Sequence, residues 1–381
     1  MKILFPLGMF YPTTVGGPSS TLYWHTCYLK KQGLEPYIVT TDFKLDWGKN
    51  KITLNRWIDN KAGKVIYCKT KYRSLPFRAF FETIVKMFSV DIVHYSSAYY
   101  YLTIYTIFIA LLLRKKVILS PRGEFFPTAI DSTKKKLVIR IYKIFQKKII
   151  FHATSEEEIE HISALFPLAQ IYMQPNFINL STRKKNNVRS KNIVFLGIIY
   201  AVKKLENLIK AIALSQKIET YNGKLLIAGK PLVERDFTYK RELDRLIEEL
   251  GLKEKIEFVG EIFGKDKEDF LNDAYILVLP SESENFGNVV VEALAQSTPV
   301  IASKGTPWKY LDDYDAGWWI ENDPNTLSVT IDKALSLTDE EYLRMCNNAV
   351  ELVQKKFNIN TSDENCWINI YQKIIKNGYN A

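Results

Sequence analysis

The chain has 381 residues, of which 47% are hydrophobic and 25% are charged. This length allows two to three domains, and an apolar content at the globular average excludes a disordered tail or a fibre. The net charge of +10 is placed unevenly: residues 1–180 hold 25 Lys and Arg against 12 Asp and Glu (+13), which leaves 27 against 30 (−3) for the remainder. The basic first half favours an anionic partner such as phospholipid headgroups, nucleic acid or a phosphorylated acceptor, with simple solubility as the alternative.

Short β-branched runs alternate with longer amphipathic stretches from the start of the chain. KILFP is followed by TLYWHTCYLKKQG and then PYIVTTD. Further strands are predicted at KVIYCK, DIVHYS, KVILSPRG and IFHATS, and in the second half at NIVFLG, KLLIAG, KIEFVG, AYILVLPS and TPVIAS. This βαβ alternation predicts an α/β protein with two Rossmann-like, doubly wound domains.

The domain boundaries follow from a change in composition. The polar segment around INLSTRKKNNVRSKN predicts a linker at 181–192 between an N-terminal domain, 1–180, and a C-terminal domain, 193–365. The amphipathic end, 366–381, is predicted to form a helix that packs back on the N-terminal domain. Ligands of such sheets bind beyond the carboxyl ends of the strands, so we expect both domains to face an interdomain cleft.

Two segments bear on membrane contact. The most apolar run, 99–113, has 15 residues against about 20 for a membrane-spanning helix. It predicts a buried helix, with an interfacial segment as the alternative. The segment 132–151 mixes cations and apolar residues at helical spacing, which is typical of a helix on a membrane surface or of a solvated helix. With an opening run too short for a signal peptide, the sequence predicts a cytoplasmic protein, peripheral on the inner membrane face.

The strongest local motif is LVLPSESENFGNVVVEALAQSTPVIAS. A strand ends at Pro280, a polar loop holds Glu284, and Gly287 precedes a helix that carries Glu292. The N–H groups and positive dipole end of a helix start suit a diphosphate, and Glu292 can reach a ribose diol. The alternative is a solvated acidic loop, which Glu292 disfavours because it interrupts an apolar helix face.

Two weaker motifs also suit an anionic ligand. Gly16 and Gly17 lie between the first strand and the first helix, where the backbone can approach a phosphate or a sugar, although two adjacent glycines also suit a plain turn. Lys203 and Lys204 open a helix, where a cation is unfavourable unless it binds an anion; a solvated pair is the alternative.

Three residues of the basic half are candidates for ligand binding. Arg122 and Glu124 occupy a strand-to-loop turn in SPRGEFFP, where a guanidinium suits a phosphate or carboxylate and structural pairing of the two is the alternative. His94 ends a predicted strand, where either access to a cleft or a structural role is expected.

Taken together, these motifs resemble glycosyltransferase family 4, the retaining sugar-nucleotide transferases with the two-domain GT-B fold. SESENFGNVVVEALAQSTPVIAS is similar to the E-x7-E block of that family, and FLG…KK, FVGEIFGKDKEDFLNDAYILVLPS, SPRGEFFP and HATSEEEIEHI fall in the family's order. Ile198 stands where the family usually carries an arginine, so Lys204 or another residue would supply that phosphate contact.

The resemblance implies a role for each candidate. Glu284 would be the catalytic residue that supports the positive charge developing on the donor sugar, and Glu292 would hold the ribose hydroxyls. The predicted donor-binding set is Gly16, Gly17, Lys203, Lys204, Asn285, Phe286, Gly287, Asn288, Val289 and Glu292. The acceptor would bind near His94, Arg122 and Glu124.

The resulting hypothesis is a retaining, metal-independent hexosyltransferase with no cofactor. It would move a sugar from a UDP-sugar, or a GDP-sugar as second choice, to a lipid-linked or saccharide acceptor in the synthesis of cell-surface polysaccharide such as lipopolysaccharide or capsule. The alternatives are a GT-B nucleotide-sugar epimerase or hydrolase, and a catalytically inactive module that binds a membrane or nucleic acid. The sequence has no RNP-like or helix-turn-helix motif, so no nucleic-acid partner is predicted.

Overall fold

A computed structural model describes residues 1–12, 17–43, 45, 52–72, 74–176, 182–185, 191–218, 220, 223–358 and 366–376. The chain divides into two compact units, Met1–Phe177 with Ser362–Ala381, and Ile178–Thr361. The predicted linker, 181–192, lies partly outside the described residues.

The first unit is a mainly parallel sheet with helices on both faces. Its elements are β1 (Lys2–Pro6), α1 (Gly17–Lys31), β2 (Glu35–Thr41), β3 (Trp57–Asn60), β4 (Gly63–Cys68), α2 (Phe77–Met87), β5 (Ile92–Tyr95), α3 (Tyr101–Leu112), β6 (Lys116–Leu119), α4 (Thr133–Ile144), β7 (Ile149–Ala153), α5 (Glu156–Leu165) and β8 (Gln170–Met173). The strand order is β3-β4-β2-β1-β5-β6-β7-β8, and β3 pairs antiparallel with β4.

Successive residues of each central strand point to opposite faces, and each face has its own core. Leu4 and Val93 pack with buried residues of α2, α3, α4 and α5. Ile3 and Ile92 pack on the other face with α1 and the C-terminal helix α13 (Trp367–Lys376). Both faces of the sheet are therefore covered, as the near-continuous apolar strands require.

The second unit repeats this architecture with a parallel sheet. Its elements are β9 (Ile193–Leu196), α6 (Leu205–Leu214), β10 (Leu225–Ala228), α7 (Glu234–Glu249), β11 (Ile256–Gly260), α8 (Gly264–Asp273), β12 (Ile276–Leu279), α9 (Asn288–Ala295), β13 (Val300–Ser303), α10 (Tyr310–Asp313), β14 (Gly317–Ile320), α11 (Pro324–Leu335) and α12 (Asp339–Lys356). The strand order β11-β10-β9-β12-β13-β14 places the ends of β9 and β12 side by side at the point where the order reverses.

The predicted fold class is confirmed, and each of the predicted strands is present. The sequence patterns did not indicate β3, β8 or β14, which lie at or beside sheet edges and have four residues each. These strands are mostly half-buried, so their sequences lack the β-branched run that indicated the central strands. The predicted apolar helix at 99–113 is α3, which is buried on one side.

Among the described residues, the helices are all too short or too polar to cross a membrane.

Candidate functional site

The loops that follow β9 and β12 form one continuous structure at the carboxyl edge of the second sheet. A short 3-10 turn, Ala201–Lys203, follows β9, and the N–H of Glu282 donates to the carbonyl of Val202 at 2.8 Å. The N–H of Glu284 donates to the carbonyl of Gly305 at 2.8 Å. A Cβ at position 305 would lie 2.2 Å from the carbonyl oxygen of Glu282, so a glycine is needed there. The backbone thus fixes the polar loop that carries the candidate carboxylates.

Glu284 lies in a mostly buried polar environment within this loop. Its carboxylate forms an ion pair with Lys203 and accepts a hydrogen bond from the hydroxyl of Ser281 at 2.9 Å. The side chains of Glu284 and Lys203 are only 15% and 11% exposed, so this pair is screened by water less than a surface pair would be. The sequence predicted the two as ligands of one donor, and the structure brings them into direct contact.

Lys204 points to a different acid of the same loop. It has a left-handed backbone, with φ of +49°, immediately before α6, and its ammonium lies 3.4 Å from the carboxylate of Glu282. Glu282 is more than half exposed, which makes this a weaker contact. The side chain of Lys204 is 31% exposed against 11% for Lys203, so Lys203 is the more enclosed of the two lysines. Ile198 is half-buried on the same loop.

Gly287 determines how α9 begins. Its φ is +75°, and a Cβ there would lie 3.2 Å from Cδ2 of Leu279 and 3.3 Å from Nε1 of Trp308. The same Trp308 Nε1 donates to the carbonyl of Phe286 at 2.5 Å. A glycine is therefore required to turn the chain from the loop into the helix, as the sequence motif predicted.

The remaining predicted donor residues surround the start of α9. Phe286 is buried against Trp308 and Phe357, and Val289 is also buried, so these two can contribute backbone groups only. Asn285 and Asn288 are half-buried beside them. The helix start thus combines a packed underside with N–H groups at its first turn, the arrangement that binds anions.

Glu292 lies one and a half turns into α9 and is held by a residue that the sequence analysis did not find. Its carboxylate is 2.7 Å from the ammonium of Lys267 on α8, and its side chain is 13% exposed. A carboxylate on an otherwise apolar helix needs such a partner. Lys267 belongs to a different helix at no fixed sequence spacing from Glu292, so no local pattern could have indicated the pair.

The glycine pair at the start of the first unit is only partly described. Gly16 lies outside the described residues, and Gly17 is the first residue of α1. Their predicted contact with the donor stays a prediction.

Arg122 and Glu124, the candidate acceptor residues, do not form a direct ion pair with each other. Arg122 has φ of +52°, and its Nη1 donates to Oδ1 of Asn176 at 2.9 Å. Glu124 accepts from the hydroxyl of Ser97 at 2.7 Å and from the N–H of Ala98 at 2.5 Å. Burial raises the pKa of Glu124 to about 7. A carboxyl group that titrates near neutral pH is suited to exchange a proton with a hydroxyl.

The SPRG turn depends on Glu158, which the sequence analysis did not single out. This fully buried carboxylate accepts from the N–H of Gly123 at 2.7 Å and from the N–H of Thr154 at 2.8 Å. The HATSEEEIEHI segment therefore supports the turn that carries Arg122. Burial raises the pKa of Glu158, and the charge of Arg122 partly opposes that shift.

His94 has a structural environment, which corrects its assignment as an acceptor contact. It is 1% exposed, and its ring nitrogens lie 2.7 Å from the hydroxyl of Tyr371 and 2.7 Å from that of Ser120. Both nitrogens are thus committed to neighbours, because His94 lies within β5 on the face that α13 covers. The sequence could not show this, since Tyr371 is 277 residues away.

His94 belongs to a buried histidine cluster that also contains His25 and His152. Nδ1 of His152 lies 2.8 Å from the hydroxyl of Ser120, and Trp367 of α13 packs on the rings of His25 and His152 with centroids 4.5 Å apart in each case. Burial holds the pKa of His25 and of His94 well below the usual value and lowers that of His152 to about 3. The C-terminal helix thus rests on three neutral imidazoles.

The described residues contain no group of three or more His, Cys, Asp or Glu side chains arranged to hold a metal ion.

Comparison with protein families identifies the second unit. Residues 178–352 match the family described as glycosyl transferases group 1. The glutamates, Lys203 and the glycine before α9 all lie in this matched part. The second unit is therefore similar to the group 1 glycosyltransferases, and the finer assignment to glycosyltransferase family 4 stays a prediction.

Similar curated proteins cover part of the chain. An uncharacterized glycosyltransferase of Methanocaldococcus jannaschii is 32% identical over 191 residues, which are 47% of this chain and 46% of that protein. The O-antigen chain mannosyltransferase RfbU of Salmonella typhimurium is 28% identical over 34% of each protein. The match thus spans less than half the length of these relatives.

A solved structure resembles the fold over nearly the whole chain. HepE from Anabaena, in complex with UDP and glucose, superposes with a TM-score of 0.73 at 16% identity and covers 99% of each chain. The fold is that of the GT-B glycosyltransferases, as the sequence resemblance implied.

Proposed function

We propose that this protein is a retaining glycosyltransferase that transfers a hexose from a nucleotide-diphosphate sugar. The observation that carries the proposal is the arrangement of Glu284, Lys203 and Glu292 around the start of α9, in a unit that is similar to the group 1 glycosyltransferases. A UDP-sugar is the favoured donor, with a GDP-sugar as second choice. The UDP bound to HepE, which shares the fold, supports this preference.

The donor diphosphate would bind at the N-terminal end of α9. There the positive end of the helix dipole and the backbone N–H groups of residues 286–289 meet the ammonium of Lys203. Lys203 would exchange its contact with Glu284 for the phosphate oxygens, while Lys204 would supply a second, more exposed cation. These charges could replace a divalent metal, and metal independence remains a prediction of the proposal.

Glu292 would recognise the nucleoside. Its carboxylate can accept two hydrogen bonds from a ribose diol, and the contact with Lys267 orients it. Glu284 would face the sugar on the other side of the phosphates. These two carboxylates, eight residues apart, can thus serve different ends of one donor.

The proposed chemistry is a front-face substitution. The bond between the anomeric carbon and the diphosphate oxygen breaks, and the acceptor hydroxyl oxygen forms the new bond on the same face of the sugar. The hydroxyl proton goes to the departing diphosphate, and Glu284 stabilises the positive charge that develops on the sugar. Anomeric configuration is retained.

The acceptor would be a lipid-linked or saccharide precursor of a cell-surface polysaccharide, bound on the first unit near Arg122 and Glu124. The similarity to an O-antigen chain mannosyltransferase supports this class. A guanidinium suits the phosphate of a lipid carrier, and the raised pKa of Glu124 suits contact with a sugar hydroxyl. A cytoplasmic protein, peripheral on the inner membrane face, would meet such an acceptor.

Product analysis tests the proposal. The protein is incubated with radiolabelled UDP-glucose, UDP-GlcNAc, UDP-galactose or GDP-mannose and a lipid extract from bacterial membranes. Label should move into the lipid or saccharide fraction, and NMR of the product should show the anomeric configuration of the donor. Free sugar alone, independent of added lipid, would indicate a hydrolase or epimerase, and inversion would contradict the mechanism.

A further inference from the structure

One face of the first unit exposes a concentration of large apolar side chains. Of the 20 exposed in the described part of the chain, 11 lie between residues 72 and 144. They are Tyr72, Leu75, Phe77, Phe81, Val85, Phe88, Tyr101, Tyr105, Leu112, Leu137 and Ile144. All come from α2, α3, α4 or the segments that flank α2, which cover one face of the sheet.

The helix α2 carries the clearest stripe. Phe77, Phe81 and Val85 are spaced four residues apart on one side, and Phe88 continues the line directly after the helix. Phe77, Phe81 and Phe88 are 70%, 61% and 67% exposed. The opposite side of α2, with Ala79, Thr83 and Met87, packs into the core. This helix is therefore apolar on its outer side as well. Such an apolar face is unfavourable when it is in permanent contact with water.

The stripe continues across α3 to α4. Phe80 of α2 packs edge-on against Tyr105 of α3, and Phe108 of α3 packs against Phe145 beside α4. The three helices thus form one layer. Leu112 and Ile144 extend its apolar surface with 82% and 77% exposure. We call the outer side of α2, α3 and α4 the amphipathic face.

The segment that contains the amphipathic face is also the basic part of the molecule. Residues 69–148 hold 16 Lys and Arg against four Asp and Glu, which is +12 of the +13 carried by residues 1–180. On α4 and directly after it the exposed cations are Lys134, Lys136, Arg140, Lys143, Lys147 and Lys148. No acidic residue lies between 132 and 155.

We infer that the amphipathic face binds the surface of a bilayer that contains anionic lipid. Phe77, Phe81 and Phe88 would enter the headgroup region, and the cations of α4 would contact lipid phosphates. A second copy of the chain is a poorer occupant, because a two-fold interface would place this strongly positive face against itself. The inference takes the lipid-linked acceptor from the proposed function and so rests on it. It deepens that function by naming the surface that meets the membrane.

Vesicle sedimentation tests the inference. The full chain is mixed with vesicles of phosphatidylcholine alone, or of equal parts phosphatidylcholine and phosphatidylglycerol. We expect sedimentation with the anionic vesicles only, and less of it at high salt. Replacement of Phe77, Phe81 and Phe88 by Ser should lower the lipid partition coefficient about tenfold or more, because binding scales with the apolar area inserted.

Two further variants separate the contributions. A variant with Gln in place of four cations should bind vesicles more weakly and depend less on salt. The replaced residues are Lys136, Arg140, Lys143 and Lys147. The matched control is Phe237→Ser, which replaces an exposed aromatic residue of the second unit. This variant should bind vesicles as the wild type does. The three-Ser variant should still be stabilised by UDP, which separates this inference from the proposed function.

Equal binding to both vesicle types, or undiminished binding by the three-Ser variant, would overturn the inference. So would light scattering that shows a dimer dispersed by the same substitutions while vesicle binding is unchanged. If the wild type binds vesicles but no nucleotide, the proposed function fails and the membrane face stands.

Discussion

Lys203 and Glu284, 81 residues apart in the sequence, form an ion pair at the carboxyl edge of the second sheet. Because β9 and β12 are neighbours, the loops that carry the two residues meet at the point where the strand order reverses. A diphosphate at the start of α9 would compete with Glu284 for the lysine. Donor binding and the charge environment of Glu284 would thus be coupled through one ammonium group.

Lys203→Met should weaken donor binding. The variant loses a cation that would contact the diphosphate, so we expect the KM for the nucleotide sugar to rise about 10-fold to 100-fold, since one charge-assisted hydrogen bond contributes roughly 1.5–3 kcal/mol. Steady-state kinetics with varied donor measure this. Lys204→Met is the matched control and should have a smaller effect, and an equal KM for Lys203→Met and the wild type would argue against the contact.

Glu284→Gln should act on the chemical step. The amide keeps the shape of the side chain and removes the negative charge, so kcat should fall by about 10²-fold to 10³-fold, as when one electrostatic contact to a transition state is lost. The affinity for free UDP should rise, because Lys203 no longer has to leave a carboxylate to reach the diphosphate, and calorimetry checks this. A kcat close to that of the wild type would contradict the role of Glu284.

Gly287→Ala should destabilise the second unit and disturb the start of α9. The new Cβ would meet Leu279 and Trp308 at a positive φ, so the cost should be about 1–3 kcal/mol. Gly251→Ala is the matched control, with φ of +68° and no atom within 4 Å of the new Cβ, and should cost only about 1 kcal/mol. Urea unfolding compares them, and equal losses would show that the packing around Gly287 is unimportant.

Acid should destabilise the first unit through its buried histidines. Each of them binds a proton in the unfolded chain below a pKa of about 6.5 but stays neutral when folded, so stability is lost as the pH falls below that value. One histidine contributes up to about 1.4 kcal/mol per pH unit. His152, whose folded pKa is about 3, is the clearest case.

His152→Gln should therefore flatten the dependence of stability on pH. Urea unfolding between about pH 7.5 and about pH 5 measures the slope for each variant. Comparison with the wild type cancels the opposing contribution of Glu124 and Glu158, whose raised pKa values favour the folded state at low pH. His161→Gln on α5 serves as control, and an unchanged slope in His152→Gln would contradict the account.

The sequence predicted the parts of the fold that a local pattern encodes. Apolar runs indicated each central strand, and the glycine before α9 indicated the helix start between Glu284 and Glu292. Edge strands such as β14 were missed, because they are mostly half-buried and lack the β-branched run of the central strands.

The partners of the candidate site residues could not be predicted, because they come from distant parts of the chain. Lys267 is held to Glu292 by the packing of α8 on α9, and His94 is enclosed by α13. These contacts depend on tertiary structure alone. The structure favours the structural alternative for His94 and brings Glu284 and Lys203 into contact, while their roles as donor ligands stay predictions.

The most direct test of the donor site measures nucleotide binding by thermal shift. UDP, GDP, ADP and dTDP are added in the presence of EDTA to the wild type, to Glu292→Ala and to Glu248→Ala, an exposed control on α7. UDP at about 100 times its Kd should stabilise the wild type and the control by roughly 2.7 kcal/mol and leave Glu292→Ala unaffected. Stabilisation of Glu292→Ala equal to that of the wild type, or no stabilisation by any of the four nucleotides, would contradict the proposed donor site.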